Sequence, residues 1–425
     1  MLKGQFPVEK FASLRTPFYY YDLPLLHRTL DKIRECIEPY PQFHVHYAVK
    51  ANFNGKILQE ISRCGFGADC VSGGEIRAAL QNGFAPESIV YAGVGKSDEE
   101  ILLALDAGIA RFNVESAAEL EVINELALSR GVVAPVSLRV NPDIGAHTHA
   151  NITTGLAENK FGINYEQLPG VIELADSLPG VEYKGLHFHI GSQILEMDDF
   201  VALCNRINVL AEQILRQRRG RLVPAASSAA AVGYSSSAVG AAGVAGSGVA
   251  AGVAGAAASV LGDINVGGGL GINYYHPNHL DVAEFSQYFE TFARHLKLPE
   301  GTPVHFELGR SVVAPCGSLI SRVLYIKEGT TRRFAIIDAS MTELIRPALY
   351  KAYHRVENIS SYEPEEVYDV VGPVCESSDV FAKGVSIDKC HRGDFIAIRS
   401  AGAYGESMSS QYNCRPLPGC FFKED

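Results

Sequence analysis

The stretch Ile89-Val-Tyr-Ala-Gly-Val-Gly-Lys-Ser-Asp-Glu-Glu-Ile-Leu-Leu-Ala-Leu-Asp-Ala-Gly-Ile-Ala-Arg-Phe-Asn-Val114 holds one full repeat of the pattern that decides the fold. Residues 89–92 and 111–114 are short runs rich in β-branched and aromatic side chains. Between them, residues 98–107 begin with three acidic residues and are followed by Gly108, as helix ends require. The stretch predicts a strand, a helix and a second strand.

The same alternation continues along most of the chain. Strand-like runs occur at residues 44–49, 67–71, 89–92, 111–114, 136–140, 185–190, 263–266 and 304–308. Helical patterns lie around them at residues 26–37, 55–64, 75–81, 98–107, 117–129, 166–177, 200–216 and 282–296. An open doubly wound sheet usually has only five or six such units, so eight favour a closed (β/α)8 barrel. We place this barrel at residues 27–312.

The pattern changes after residue 312. Runs at residues 318–326, 333–338, 366–371 and 394–399 are β-rich and are separated by Gly or Pro. They predict a mostly antiparallel β domain made of residues 313–425 together with 1–26, in which residues 17–22 add a strand. The predicted fold class is therefore α/β, with an eight-stranded barrel and a second β domain.

Composition limits the possible partners. The 425 residues include 37 Lys and Arg against 48 Asp and Glu, a net charge of −11. Without a basic excess to neutralise phosphates, we expect no nucleic-acid or anionic-membrane partner. The first residues lack the apolar core of a signal peptide, so we expect a cytoplasmic protein. The nine cysteines include no C-x-x-C pair and are expected to be free thiols.

Residues 224–262 differ from the rest of the chain. They are almost entirely Ala, Gly, Ser and Val and carry no charge. A membrane-spanning helix is one interpretation, but Gly and Ser dilute the hydropathy, and a span would divide one continuous barrel pattern. We therefore predict a flexible surface insertion without a catalytic role.

Functional side chains of such barrels lie at the carboxyl ends of the strands. The residues at these ends include a lysine, acids, amides, a histidine and three consecutive glycines, and we expect them to form one site: Lys50, Asp69, Asn113, Arg139, Asn141, His189, Gly267, Gly268, Gly269 and Glu307.

Each of these residues also has a structural interpretation. Partial burial would lower the pKa of Lys50 and make it nucleophilic, but it could equally be a surface lysine. Gly267–Gly269 would let backbone amides approach a phosphate, or simply form a tight turn. Glu307 and Arg310 are either a salt bridge or a carboxylate for a ring nitrogen beside an arginine for an anion.

Histidine pairs and a late cysteine leave further alternatives open. The pairs His44/His46, His147/His149 and His187/His189 would face one way on a strand and could hold a metal, as in barrel hydrolases. The strand ends offer no convincing additional ligands, so we predict no metal. We expect His187 to be packed and His189 to face the site. Cys375 is either a buried structural thiol or part of a functional loop.

Nine motifs in order resemble the fold-type III pyridoxal-phosphate decarboxylases, and among them the members that act on diaminopimelate. They are Tyr47-Ala-Val-Lys-Ala-Asn52, Gly67-Ala-Asp-Cys-Val-Ser-Gly-Gly-Glu75, Glu158-Asn-Lys-Phe-Gly162, His187-Phe-His-Ile-Gly-Ser-Gln193, Asn265-Val-Gly-Gly-Gly-Leu-Gly271, Glu307-Leu-Gly-Arg310, Ile345-Arg-Pro-Ala-Leu-Tyr350, Gly372-Pro-Val-Cys-Glu376 and Gly402-Ala-Tyr404. The resemblance covers nearly the whole chain. It departs from the family at Leu308, where proline is usual, and at the insertion.

The resemblance implies pyridoxal 5'-phosphate as cofactor and assigns most of the site. Lys50 would bind it covalently, His189 would stack on its ring, and Glu307 would pair with the ring nitrogen. The remaining cofactor contacts would come from Asp69, Ser192, Gly267, Gly268, Gly269, Gly309, Arg310 and Tyr404. A carboxylate at the ring nitrogen favours decarboxylation over racemisation, because it keeps the ring an electron acceptor.

The resemblance also implies a substrate and a partner. Arg310, Arg346 and Tyr350 would surround the distal end of diaminopimelate, with Glu376 at its distal amine. Tyr404 would contact both the cofactor and the substrate. Cys375 would donate the proton that replaces the carboxyl group, and its loop would come from the second subunit of a homodimer. Three alternatives remain: a decarboxylase of another basic amino acid or carboxylated polyamine, a non-catalytic cofactor-binding homologue, and a metal hydrolase.

Overall fold

Eight parallel strands form a closed barrel, as the sequence predicts, and a second sheet follows it. The computed structural model describes residues 6–143, 160–222, 260–277 and 282–424. In chain order the strands are β1 (Phe18–Asp22), β2 (Phe43–Ala48), β3 (Gly67–Cys70), β4 (Ile89–Tyr91), β5 (Arg111–Val114), β6 (Ala134–Arg139), β7 (Val181–His187), β8 (Asp263–Asn265), β9 (Val304–Leu308), β10 (Gly317–Glu328), β11 (Arg333–Ile337), β12 (Val356–Asn358), β13 (Glu365–Val371), β14 (Val380–Asp388), β15 (Phe395–Ile398) and β16 (Gly419–Lys423).

The barrel runs from β2 to β9 in sequence order and closes by pairing β2 with β9 in parallel. Parallel neighbours require crossovers, and helices supply them outside the barrel. The helices are α1 (Val8–Phe11), α2 (Leu23–Ile37), α3 (Gly55–Arg63), α4 (Gly73–Gln81), α5 (Asp98–Ala107), α6 (Ala117–Arg130), α7 (Leu168–Ser177), α8 (Met197–Leu222), α9 (Val282–His295), α10 (Arg310–Val313) and α11 (Arg346–Tyr350).

Local sequence explains how the repeat unit begins and ends. Ser97 caps α5 by accepting a hydrogen bond from the Glu100 amide, and Glu100 bonds back to the Ser97 amide in a capping box. Gly108 ends the helix in the left-handed conformation. The apolar residues Ile101, Ala104 and Leu105 are buried against the barrel. The start and stop signals in the sequence therefore set this helix correctly.

The second sheet is mostly antiparallel and has the order β12-β15-β10-β11-β13-β14. The early strand β1 joins it by pairing antiparallel with β10 and parallel with β16, which confirms the strand predicted at residues 17–22. Two pairs, β1–β16 and β11–β13, are parallel. The predicted domain boundaries at residues 26 and 312 stay a prediction.

Asn52 ties the barrel to the second sheet beside the first barrel strand. Its side-chain amide donates hydrogen bonds to the Tyr21 hydroxyl at 2.8 Å and to the Gly402 carbonyl at 2.9 Å. The Tyr404 amide donates to the Ala51 carbonyl at 2.7 Å. These contacts fix the carboxyl end of β2 against the loop that follows β15.

Two predictions concern other parts of the chain. All nine cysteines are free, as expected. The Ala- and Gly-rich insertion at residues 224–262 lies almost entirely outside the described residues. Across the ranges that the structure describes, no helix is long and apolar enough to span a membrane.

Candidate active site

Lys50 and Asp69 meet at the carboxyl end of the barrel. Lys50 lies in the 3-10 turn Val49–Ala51, which directly follows β2, and Asp69 lies in β3. The Lys50 Nζ is 3.8 Å from Asp69 Oδ2. The Asp69 carboxyl group is buried, and within the described part of the chain its Oδ1 has no hydrogen-bond partner. Burial and the nearby Glu307 raise the pKa of Asp69 despite the lysine.

The expected lowering of the Lys50 pKa is wrong. Burial lowers the pKa of this amine, but the acidic groups around it, led by Asp69, outweigh burial and raise it. The neighbouring carboxyl groups favour the ammonium form. The amine must therefore lose a proton before it can act as a nucleophile.

Glu307 sits at the centre of a polar network under the barrel mouth. Its Oε1 accepts hydrogen bonds from Asn265 Nδ2 at 2.7 Å and Asn113 Nδ2 at 3.2 Å. Its Oε2 is 3.1 Å from His187 Nε2. Burial raises the pKa of Glu307, but the contact with His187 and the charge of Lys50 hold it well below its usual range. Glu307 is therefore ionised.

The interpretation of Glu307 and Arg310 as a salt bridge is wrong. The guanidinium of Arg310 donates to the Tyr274 hydroxyl at 2.8 Å and to Ser192 Oγ at 3.1 Å. It also lies over the ring of Tyr404, 4.9 Å from its centroid. Arg310 is only 5% exposed. In the described residues, its hydrogen-bond partners are neutral hydroxyl groups.

The glycine triplet makes a turn that no larger residues could make. Gly267 and Gly269 have φ values of 71° and 115°, in the left-handed region. A Cβ on Gly268 would collide with the carbonyl oxygen of Glu307. The Gly268 amide donates to His189 Nδ1 at 3.3 Å. Burial, together with the charges of Arg139 and Lys50, holds the pKa of His189 well below its usual value, so this ring is neutral.

These groups line a cavity of about 280 Å³. Most of the predicted site residues lie in its wall, namely Lys50, Asp69, Arg139, His189, Ser192, Gly269, Glu307, Gly309, Arg310 and Tyr404. Three further predicted residues do not line the cavity but contact residues around it. The Gly267 amide donates to Asn265 Oδ1, and the Gly268 amide donates to His189 Nδ1. The Asn113 side chain donates to Glu307 Oε1.

A second cavity of about 220 Å³ shares Arg310 with the first. Arg346 and Tyr350 line it, as do Tyr274, Gln193 and Leu195. Arg346 is 6% exposed and donates through Nε to His354 Nε2 at 3.3 Å. Burial and the charge of Arg310 lower the pKa of Arg346. No carboxylate among the described residues forms an ion pair with either arginine.

Cys375 and Glu376 lie outside both cavities. Both are exposed, and they precede β14. The Glu376 carboxylate accepts a hydrogen bond from the Tyr412 hydroxyl at 2.7 Å, and the Cys375 amide is 3.5 Å from Asn413 Oδ1. Cys375 is thus not the buried structural thiol of the alternative interpretation. One chain does not bring these two residues to Lys50.

Known proteins resemble this chain in sequence and in fold. The family model described as pyridoxal-dependent decarboxylase, pyridoxal binding domain, matches residues 26–218. A diaminopimelate decarboxylase of Bacteroides thetaiotaomicron is 55% identical over 98% of both chains. One from Zymomonas mobilis is 37% identical over 96% of this chain and 87% of its own. The chain belongs to the diaminopimelate decarboxylase family. A crystal structure of the Helicobacter pylori diaminopimelate decarboxylase complexed with L-lysine has a TM-score of 0.81 and 35% identity, and the match covers 98% of this chain and 94% of that one.

Pyridoxal phosphate is the cofactor of this family, and the cavity fits it. The ionised Glu307 suits a protonated ring nitrogen, and the neutral His189 suits the face of an aromatic ring. The glycine turn packs so closely on neighbouring strands that any Cβ would collide with backbone carbonyls, and its Gly269 lines the cavity. Asp69 Oδ1 and Arg310 Nε are buried polar atoms that have no hydrogen-bond partner within the described ranges, and a polar ligand would satisfy them.

Sequence reasoning missed several residues of the site. His187 was expected only to pack, yet it is the imidazole partner of Glu307. Its place at the end of β7 was the available signal. Tyr274 accepts a hydrogen bond from Arg310, and His354 accepts one from Arg346. The guanidinium of Arg139 lies over the ring of Phe161, 4.7 Å from the ring centroid. Tyr274 and His354 lie in loops, where no strand-end rule applies.

The histidine pairs do not support the metal-hydrolase alternative. His46 bonds to His305 at 3.0 Å and to the Ser88 carbonyl at 3.2 Å, so both ring nitrogens have partners. His147 and His149 fall outside the described residues. In the ranges that the structure covers, no group of three or more potential ligands could hold a metal ion.

Proposed function

We propose that this protein removes the carboxyl group at one α-carbon of meso-2,6-diaminopimelate and releases L-lysine and carbon dioxide, the last step of lysine biosynthesis. The observation that carries the proposal is the pair of buried guanidinium groups, Arg310 and Arg346, which share one cavity. Buried charges in proteins are normally paired. The carboxylate that remains on L-lysine would supply that missing charge.

This pair also separates the proposal from its main alternative. Arginine binds carboxylates through two parallel hydrogen bonds, a geometry that suits the distal end of diaminopimelate. Ornithine has no carboxylate there and would leave buried donors unpaired. Each unpaired donor costs roughly 1–3 kcal/mol.

The cofactor roles follow from the same geometry. When bound, pyridoxal phosphate accepts the electron pair that the departing carboxyl group leaves at the α-carbon. Lys50 would hold it covalently, and the low pKa of Glu307 would keep a proton on the ring nitrogen. His189 would cover the ring face. Ser192 and the backbone of the glycine turn, whose Gly269 lines the cavity, would bind the phosphate, and Tyr404 would contact cofactor and substrate.

Cys375 and Glu376 would act across a two-fold axis in a cytoplasmic homodimer. In this proposal the loop Gly372–Asp379 of one subunit completes the cavity of the other, where Cys375 donates a proton to the α-carbon and Glu376 binds the distal amine. Their exposure and their distance from the cavity of their own chain support this arrangement.

The proposal is tested by carbon dioxide release from meso-diaminopimelate and from ornithine, each with and without added cofactor. We expect release from diaminopimelate only. Arg346→Ala should lower kcat/KM for diaminopimelate by roughly 10²-fold or more, because a charge-assisted bidentate contact is lost. Arg332→Ala, which removes a 59%-exposed arginine from the loop before β11, should change little. Unchanged turnover by Arg346→Ala would refute binding of the distal carboxylate.

A further inference from the structure

His354 contacts Arg346, one of the two arginines of the second cavity. The helix α11 starts at Arg346 and ends at Tyr350, and the next residue, Lys351, has a left-handed conformation (φ 52°) that reverses the chain. The chain therefore folds back toward Arg346, the first residue of the helix. His354 Nε2 accepts the hydrogen bond from Arg346 Nε at 3.3 Å. His354 is 1% exposed, so water does not compete for this contact.

The hydrogen bond of the second ring nitrogen determines the tautomer of His354. His354 Nδ1 is 2.9 Å from the carbonyl oxygen of Arg399, which only accepts hydrogen bonds. Nδ1 must therefore carry the proton, and Nε2 presents a lone pair. Burial and the nearby guanidinium charges of Arg346 and Arg310 lower the pKa of His354 to about 3. The ring therefore stays neutral at neutral pH, and Nε2 remains able to accept the hydrogen bond from Arg346.

The hydrogen bond uses only Nε of Arg346 and leaves its two terminal nitrogens available to a ligand. The hydrogen bond from Nε to His354 restrains the guanidinium plane. None of the described residues accepts a hydrogen bond from those two nitrogens. Tyr274 supports the same arrangement, since its ring meets His354 edge to face at 5.0 Å while its hydroxyl accepts from Arg310.

We propose that His354 is a positioning residue that orients Arg346 for end-on, bidentate binding of the distal carboxylate, an inference that rests on the proposed function. His354 touches neither substrate nor cofactor. It acts by removing the rotational freedom of a buried arginine before the ligand arrives, which reduces the cost of ordering on binding. Its effect should therefore be confined to ligands that carry the distal carboxylate.

The test compares two amide variants of the cofactor-loaded enzyme. Asparagine places a donor near the position of Nδ1 but has no acceptor at that of Nε2, whereas glutamine places an amide oxygen within reach of Arg346. His354→Asn should weaken binding of L-lysine by about 10-fold and raise KM for diaminopimelate with a smaller change in kcat. His354→Gln should stay within about threefold of the unsubstituted affinity. Binding of 1,5-diaminopentane, which has no carboxylate, should not change in either variant.

A double-variant cycle distinguishes positioning from general support of the fold. In an Arg346→Ala background, His354→Asn should cause no further loss of L-lysine affinity, because the residue through which it acts is gone. Additive losses, or equal weakening of L-lysine and 1,5-diaminopentane, would overturn the proposal. If His354→Asn does not fold, nitrogen NMR of the unsubstituted protein decides: a proton on Nε2 at neutral pH overturns it, and a bare Nε2 supports it. Failure of the unsubstituted enzyme to bind L-lysine or to decarboxylate diaminopimelate would instead refute the proposed function.

Discussion

At the scale of single residues, the charged groups of this site are set by their neighbours. The acids around Lys50 raise its pKa although burial opposes this, and His187 helps to keep Glu307 ionised in a buried position. Glu307 lies in β9 and Lys50 in the turn after β2, and these two strands pair directly in the barrel. The site thus holds an amine and a carboxylate on one wall, where the first would bind the aldehyde of the cofactor and the second its ring nitrogen.

Lys50 should be the residue that binds pyridoxal phosphate covalently. Borohydride reduces a carbon–nitrogen double bond, so treatment of the loaded protein should fix the cofactor on the peptide that contains Lys50, as detected by mass spectrometry. Lys50→Ala should abolish this label. Lys56→Ala, a change in the next helix at a side chain 34% exposed, should retain it. A label on any other lysine would contradict the assignment.

Buried neutral histidines should make the stability of the protein depend on pH. The pKa values of His46 and His354 are lowered to about 3, mainly by burial, from an unfolded value of about 6.5. Between these values the unfolded chain binds protons that the folded chain does not. The free energy of unfolding should therefore be highest above about pH 6.5 and fall as the pH decreases, with a limiting slope of about 1.4 kcal/mol per pH unit for each histidine.

Urea unfolding at a series of pH values between neutral and mildly acidic checks this expectation. His354→Gln removes one titrating group, so its slope should be smaller than that of the unsubstituted protein by up to one histidine's contribution. Identical slopes for the two proteins would show that His354 does not titrate between its folded and unfolded states.

At the scale of elements, the crossover between β7 and β8 is the unusual one, because it contains α8 and the insertion. Arg218, in α8, donates through Nη1 to the carbonyl of Val260 at 3.2 Å and pairs through Nη2 with Asp176 at 2.7 Å. It also lies over the ring of Tyr183, 4.5 Å from the centroid. Arg218 therefore contacts Val260 near the end of the insertion, and this contact does not need residues 225–258.

Most of the insertion should be dispensable. Replacing residues 225–258 with a short Gly/Ser turn should preserve cofactor content and decarboxylase activity, because loop length enters the free energy of closure only logarithmically. Each doubling of length costs only about 0.6 kcal/mol, so the midpoint of unfolding should change little. The matched control is an unrelated Gly/Ser segment of the original length. A shortened variant that is insoluble or free of cofactor, beside a normal control, would show that the natural segment packs against the barrel.

At the scale of the whole molecule, one chain builds most of the site but leaves out two of its expected members. Cys375 and Glu376 are exposed and line neither cavity. An isologous dimer forms every contact twice, so if the loop of one subunit enters the site of the other, the reverse contact also occurs. The proposed dimer would therefore hold two composite sites.

Mixing two inactive variants should restore activity if the sites are composite. Lys50→Ala and Cys375→Ala homodimers should each be nearly inactive. In a heterodimer one site receives both substitutions and the other neither. Random mixing gives about half heterodimers, so roughly a quarter of the unsubstituted activity should return after the two variants are unfolded, mixed equally and refolded. Each variant refolded alone is the control. If mass analysis finds heterodimers but activity does not return, the site lies within one chain.

The sequence by itself determined the barrel, the second sheet and most of the cavity wall. Periodicity and helix caps report local preferences, and parallel strands of a barrel necessarily bring their carboxyl ends together, so Lys50, Asp69, His189 and Glu307 could be grouped without coordinates. The tertiary structure alone decided the interactions between them. The pKa of Lys50, the pairing of Glu307 with His187, and the support of Arg346 by His354 depend on distances between residues far apart along the chain or on a local reversal at Lys351. Coulomb and desolvation energies depend on those distances, which no periodicity in the sequence encodes.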